Sequence, residues 1–298
     1  HYNLREDIFI MRKKLFSFIL LVSAFLAFFT FSHKNTAAAS DKLNVVTTLD
    51  FYGETAKAVL GDHGTVTSLI TSPNVDPHDF EATTKTAKIV SKADLVIYNG
   101  AGYDNWVKKL NGKKYLSVAD VMKVKEGQNE HLWYDPTTME KLADRLATEF
   151  GKMQPKNKVA FKKNATKYKK TLAKLTQMLD KIKQNSNNQK VAVSEPVFDY
   201  SLKKMGYKIA NSHFAKATEE GSDPSYSDIK KLQNDIKNKK IAFFVQNTQS
   251  DSSVIKNIVS LCKESNIPVV KVTETLPKNK TYVTWLQGEY QAVLDTQK

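Results

Sequence analysis

From residue 43 onward, short apolar runs alternate with stretches whose apolar residues recur at every third or fourth position. The runs LNVVTTL (43–49), TVTSLI (65–70), DLVIYNG (94–100) and YLSVADV (115–121) have the length and β-branched content of buried strands. Between them, FYGETAKAVLG (51–61), closed by Gly61, and TKTAKIVSKA (84–93) read as helices. Alternation of this kind predicts a mainly parallel sheet with helices on both faces.

The middle of the chain differs. TTMEKLADRLATEFGKM (137–153) predicts one helix, capped by Thr137 or Thr138 with Glu140 placed for a capping box. Beyond Pro155, apolar residues such as Phe161, Leu172, Leu175, Leu179 and Ile182 keep helical spacing without an interrupting Gly or Pro until NSNNQ (185–189). One helix of about 28 residues, about 42 Å long, is expected there. Strand candidates resume with KVAVSE (190–195), IAFFVQ (241–246) and VVKVTE (269–274), with YKIANSH (207–213) a weaker one. Helices are expected near 197–205, 225–238, 251–265 and 281–294. The predicted class is α/β: two lobes, each a mainly parallel sheet flanked by helices, joined by one long rigid helix. The expected divisions are 1–39 (upstream residues and signal peptide), 40–150 (N-terminal lobe), 151–187 (linking helix) and 188–298 (C-terminal lobe).

The N-terminal segment changes the compartment. Met11, taken as the start, is followed by Arg12, Lys13 and Lys14, an apolar run to Ser32 and the small residues Ala37, Ala38 and Ala39. This is the order of a secretory signal cleaved after Ala39, with retention as a membrane anchor the competing expectation. The single cysteine, Cys262, sits at an apolar helical position far from that signal, so core packing is expected and a lipobox cysteine is not found. Export to the extracellular face of the membrane or the cell envelope follows. Past residue 40 there are 40 basic and 29 acidic residues, the lysines lying most densely in 152–190. Arg145 is the sole arginine there, and the aromatics among the densest lysines, Phe161 and Tyr168, fall at apolar positions of the predicted helix. The excess fits a lysine-coated exported protein near an anionic envelope rather than a nucleic-acid binder.

Candidate chemistry lies in the turns. His63 falls in a turn where solvent exposure explains it, and His213 in NSHFAKA reads as a loop residue that could also be a ligand. His78 follows a strand within SPNVDPHDFEAT, and His131 precedes a helix within GQNEHLWYDP. Both belong to loops with acidic neighbours that could fix an imidazole tautomer toward a metal. Open parallel sheets bind ligands outside the carboxyl ends of their strands. Glu195 and Glu274 each stand where an apolar strand stops, so two lobes could offer two imidazoles and two carboxylates across one cleft.

NVDPHDFEAT (74–83), ADLVIYNGAGYDNWV (93–107) and NEHLWYDP (129–136) resemble the metal-specific substrate-binding proteins of ABC importers, the zinc/manganese family, and the resemblance runs from about Leu43 to the C-terminus. It implies two α/β lobes bridged by a long helix and a metal between them. The implied ligands are His78, His131, Glu195 in SEPVFDY and Glu274 in VTETLP, with Asp251 and Asp199 as alternatives to Glu274. The implied activity is capture of Mn²⁺ or Zn²⁺ as cargo for a membrane ABC permease by a monomer without enzymatic activity. The hard carboxylates lean toward Mn²⁺, whereas the general affinity order leans toward Zn²⁺. The chain departs from the family's habits in its missing lipobox cysteine, in a His78–His131 interval without histidine, and in Glu where a third His is common. Two rival classes are a surface adhesin with incidental metal binding and a metallohydrolase. The latter lacks an H-E-x-x-H helix or a G-x-S-x-G elbow.

Overall fold

A computed structural model describes residues 42–298 apart from Asp76, His78, Asp79 and Asp251; the expected signal lies outside the described residues. Lys42–Lys298 forms one compact unit. Its first sheet contains β1 (Leu43–Leu49), β2 (Gly64–Ile70), β3 (Leu95–Tyr98) and β4 (Tyr115–Ser117), in the order β2-β1-β3-β4. A second sheet contains β5 (Lys190–Val193), β6 (Lys208–Ile209), β7 (Phe244–Asn247) and β8 (Val269–Val272), in the order β6-β5-β7-β8. Every pairing is parallel. In each sheet the chain first steps to one side of its opening strand and then crosses to the other. The resulting switch point, beside β1 and β3 or beside β5 and β7, opens a crevice at the strands' carboxyl ends.

Helices α1 (Asp50–Leu60), α2 (Thr84–Ser91) and α3 (Val118–Met122) accompany the first sheet. Expected strand YLSVADV is cut short at Ser117, whose hydroxyl accepts the Asp120 N–H at 3.1 Å and starts α3. Helix α4 (Thr138–Met153) has no capping box: Thr137 is already helical in φ and ψ, and its N–H and hydroxyl both donate to Asp135 Oδ1 at 2.8 Å. A preceding Asx-type turn therefore replaces the expected cap.

Helix α5 (Lys158–Ser186) runs 29 residues, about 43 Å at 1.5 Å per residue. Its buried stripe of Phe161, Ala165, Leu172, Leu175, Leu179 and Ile182 packs on α1 and α4 and on α10 (Tyr282–Asp295). The remaining helices are α6 (Asp199–Lys204), α7 (Ser212–Glu219), α8 (Tyr226–Lys237) and α9 (Ser253–Glu264). Helix α7 was not expected; it carries His213 in its first turn rather than in a loop. Cys262 is fully buried in α9 as expected, and burial pushes its thiol up to about 12.

One core crosses from sheet to sheet. Phe51 of α1 packs on Trp133 at 5.2 Å and Trp285 of α10 at 5.7 Å, while Tyr134 meets Trp285 at 5.5 Å and Phe198 at 5.0 Å between ring centroids. The halves are thus joined by a buried aromatic layer as well as by the long helix. At its N-terminal end α5 is anchored by Phe161, fully buried against Phe150 at 5.6 Å and His63 at 5.2 Å. Phe161→Ala is expected to cost about 3–5 kcal/mol in urea denaturation, the usual loss for emptying a buried aromatic site.

Candidate metal centre

A cavity of about 450 Å³ opens where the carboxyl ends of the second sheet face the first lobe, and His131, Glu195, Glu219 and Glu274 all line it. His131 is held by a turn that leads into the short 3-10 segment Leu132–Tyr134, and it is 1% exposed. Asn129 Oδ1 lies 3.0 Å from its backbone N and 2.9 Å from its Nδ1. An amide oxygen only accepts, so in the neutral ring Nδ1 carries the proton and Nε2 keeps its lone pair for the cavity. Asn129 is itself fixed across the lobes, donating from Nδ2 to Pro196 O at 2.7 Å and accepting at its backbone carbonyl from the Tyr200 hydroxyl at 2.6 Å.

The carboxylates arrive from three elements. Glu195 follows β5, and its Oε2 accepts from Asn247 Nδ2 at 2.6 Å. Glu274 follows β8; its Oε1 accepts from the Tyr103 hydroxyl at 2.9 Å and lies 3.7 Å from His131 Nε2. Its backbone N–H donates to Gln249 Oε1 at 2.6 Å, so a side chain from the β7 loop sets the β8 loop. Glu219 ends α7. One of its oxygens takes the Lys216 ammonium at 2.8 Å, while the other, Oε1, is buried without a hydrogen-bond partner among the described residues, 3.7 Å from His131 Nδ1. Burial outweighs the pull of His131 and Lys216 and raises the Glu219 carboxyl above its ordinary range. Glu130, His131 and Glu219 each bring a possible ligand atom within 4.8 Å of one another.

Burial alone would push the His131 pKa down. The Glu274 carboxylate 3.7 Å from Nε2, then the charges of Glu130 and Glu219, overcome it and raise the imidazole above its ordinary value. A pocket that draws a proton onto a fully buried ring has an unbalanced negative field, and a dication placed among the same groups would supply that charge instead.

Of the residues picked from sequence, His131, Glu195 and Glu274 come to one cavity. His78 lies outside the described residues, as does Asp251; Pro73, Asn74, Val75 and Pro77 of the His78 segment do line the cavity. That segment is tied across the cleft by Gln249 Nε2 and Thr275 Oγ1, which donate to Pro73 O at 2.7 and 2.9 Å. Asp199 is buried, with its carboxyl raised to about 6 by burial, and does not line the cavity. His213 is exposed and pairs with Asp228 at 2.6 Å, both lining a separate, smaller cavity. His63 is half-buried against Phe161 rather than solvent-exposed. Sequence reasoning missed Glu219 because ATEEGSDPS has the composition of a loop; the one available signal was that an α7 helix would end there.

Two parallel α/β lobes locked by a long helix, with acids and an imidazole converging on the seam, define a two-lobed binding protein with its cargo site between the lobes. The family model described as ZnuA, zinc-uptake complex component A periplasmic, matches residues 45–295, and the chain belongs to that family. It is 29% identical over 283 residues to the manganese ABC transporter substrate-binding lipoprotein PsaA of Streptococcus pneumoniae, covering 86% of this chain and 88% of that one. It is also 26% identical over 313 residues to the zinc-binding lipoprotein AdcA of the same species, covering 93% of this chain and 60% of the longer relative. In fold it resembles the Mn-bound S38A mutant of a periplasmic metal-binding protein from Candidatus Liberibacter asiaticus. That match has a TM-score of 0.73 at 19% identity and covers 86% of this chain and all of the other.

Removing the Glu274 charge takes away the strongest influence holding the His131 proton on, while burial persists. Glu274→Gln is therefore expected to lower the His131 pKa, read from the imidazole resonances in an NMR pH titration of the metal-free protein. An unchanged titration would mean that Glu274 does not face the ring.

Proposed function

We propose that this protein captures a divalent transition-metal ion, Mn²⁺ or Zn²⁺, in the cleft between its lobes and delivers it to an ABC permease from the outer side of the membrane. One observation carries the reading: a buried imidazole with its tautomer set by Asn129 faces carboxylates from three separate elements in one cavity. Family membership and the manganese- and zinc-binding relatives support it. His131 Nε2, Glu195 and Glu274 are the proposed ligands, with His78 the fourth. Carboxylates able to bind in bidentate fashion favour the hard ion Mn²⁺ more than an imidazole-rich set would. Metal between the lobes is cargo, and a set that encloses it with protein donors fits carriage better than catalysis, which keeps a ligand position open for water.

Exposure to the cell envelope is proposed from the signal-like segment and from relatives named as lipoproteins. The sole cysteine of this chain, Cys262, is buried in α9, so attachment would not use it. The proposed working form is a monomer that binds no nucleic acid.

Calorimetric titration with Mn²⁺ and with Zn²⁺ checks the reading. One equivalent should bind tightly to the wild type. His78→Ala, Glu195→Ala and Glu274→Ala should each weaken it, and Asn129→Ala should cost about 10–100-fold, the usual effect of removing a group that orients a ligand. Affinity should decline as pH falls through the raised His131 pKa, beginning above pH 6.5, because the proton and the metal compete for one lone pair. Equal affinity from pH 5 to pH 8 would remove His131 from the ligand set.

A further inference from the structure

The positive charge of the chain is segregated. Beyond residue 40 there are 40 basic and 29 acidic residues, but 152–190 alone holds twelve lysines and one acid. Everything else is balanced at 28 of each, so the whole excess sits on the long helix and its immediate ends.

Within α5 the lysines are ordered further. Turning the helix at 3.6 residues per turn puts Lys163, Lys167, Lys170, Lys174 and Lys181 within about 60° of one another, on the side facing away from Phe161, Leu172, Leu175 and Leu179. All five are exposed, and none is ion-paired among the described residues. They form a straight row about 27 Å long. Neighbours at i+3 and i+4 carry the same sign, an arrangement that destabilises a helix. The row gives nothing back to the fold, since the opposite side of α5 does the packing.

We infer that this face of α5 is a binding site for a linear polyanion with repeating phosphate groups, separate from the metal cleft. The geometry favours a chain over a membrane. A lipid-binding helix presents apolar residues beside its charges. Among the described residues only Val159 and Tyr226 are large, apolar and exposed, and only Val159 lies on α5. Lysine ammonium groups are point charges that tolerate any phosphate orientation, which suits a repeating polymer. Nucleic acid fits less well, because the row contains no arginine and no exposed aromatic ring for bases to stack on.

The test uses the full chain and fluorescently labelled linear inorganic polyphosphate. The comparison is Lys163, Lys167, Lys170, Lys174 and Lys181 all changed to Gln, against a control in which exposed Lys204, Lys237, Lys240, Lys263 and Lys271 are changed to Gln. Wild type and control should bind, with log affinity falling against log salt at a slope of magnitude about 4, as expected for five neutralised phosphates. The row variant should lose about tenfold or more in affinity and most of that slope. Metal titration of all three proteins should coincide, so failure of the polyanion site and failure of metal capture would be told apart. Equal losses in control and row variant would overturn the inference, as would absent polyphosphate binding in the wild type. Row-dependent binding to phosphatidylglycerol vesicles without polyphosphate binding would replace the polymer by a membrane.

Discussion

The span between His131 and Glu274 depends on a carboxyl group that neither of them touches. Glu289, buried on α10, accepts at Oε1 from the Tyr134 hydroxyl at 3.0 Å, the Thr273 N–H at 3.1 Å and Trp285 Nε1 at 2.9 Å. The same Tyr134 hydroxyl lies 2.5 Å from Thr273 O, so its single proton is shared between the two acceptors. Tyr134 lies three residues after His131, and Thr273 immediately precedes Glu274. One acid therefore fixes the segments that carry two cleft residues from opposite lobes. Burial raises its carboxyl to about 8, so it is held mainly neutral at pH 7 and avoids placing an uncompensated charge in the aromatic layer.

Because this bridge and the aromatic layer already join the lobes, the cleft is largely assembled before any ion arrives. The opening strand of each sheet ends at a switch point, and Glu195 follows such a strand, β5. The Glu274 loop is set in turn by Gln249, which reaches from the β7 loop to the backbone of Glu274 and Thr275 and on to Pro73 of the other lobe. What remains unbalanced is charge: Glu219 Oε1 is buried without a donor among the described residues, and His131 is biased toward holding a proton. A preformed, negatively biased pocket gains when a cation enters and needs only local adjustment, whereas a wide domain swing would have to break the shared core.

Much of the architecture was legible in the sequence for physical reasons that can be named. The parallel sheets announced themselves as continuous apolar runs because both of their faces are covered, and α5 because no Gly or Pro interrupts its stripe. Glu195 and Glu274 could be singled out because each stands where such a run stops. Local competition hid the rest. The Ser117 hydroxyl ends a strand that hydrophobicity alone would have prolonged, and Asp135 takes the role expected of Thr137. Glu219 stayed invisible because α7 is a short helix built from loop-like residues, and no pattern in one dimension brings its end toward His131. The Asn129 contact was equally hidden, since Glu130, the acid beside it, was the more obvious partner for an imidazole.

The central claim is that the seam between the lobes holds the cargo through His131, Glu195 and Glu274. Anomalous diffraction at the zinc edge from crystals grown with Zn²⁺ tests it most directly. The account predicts one strong peak in the cleft, about 2.0–2.2 Å from His131 Nε2 and from oxygens of Glu195 and Glu274. A peak seated elsewhere, such as on His213 and Asp228, with the cleft groups uncoordinated, would contradict it.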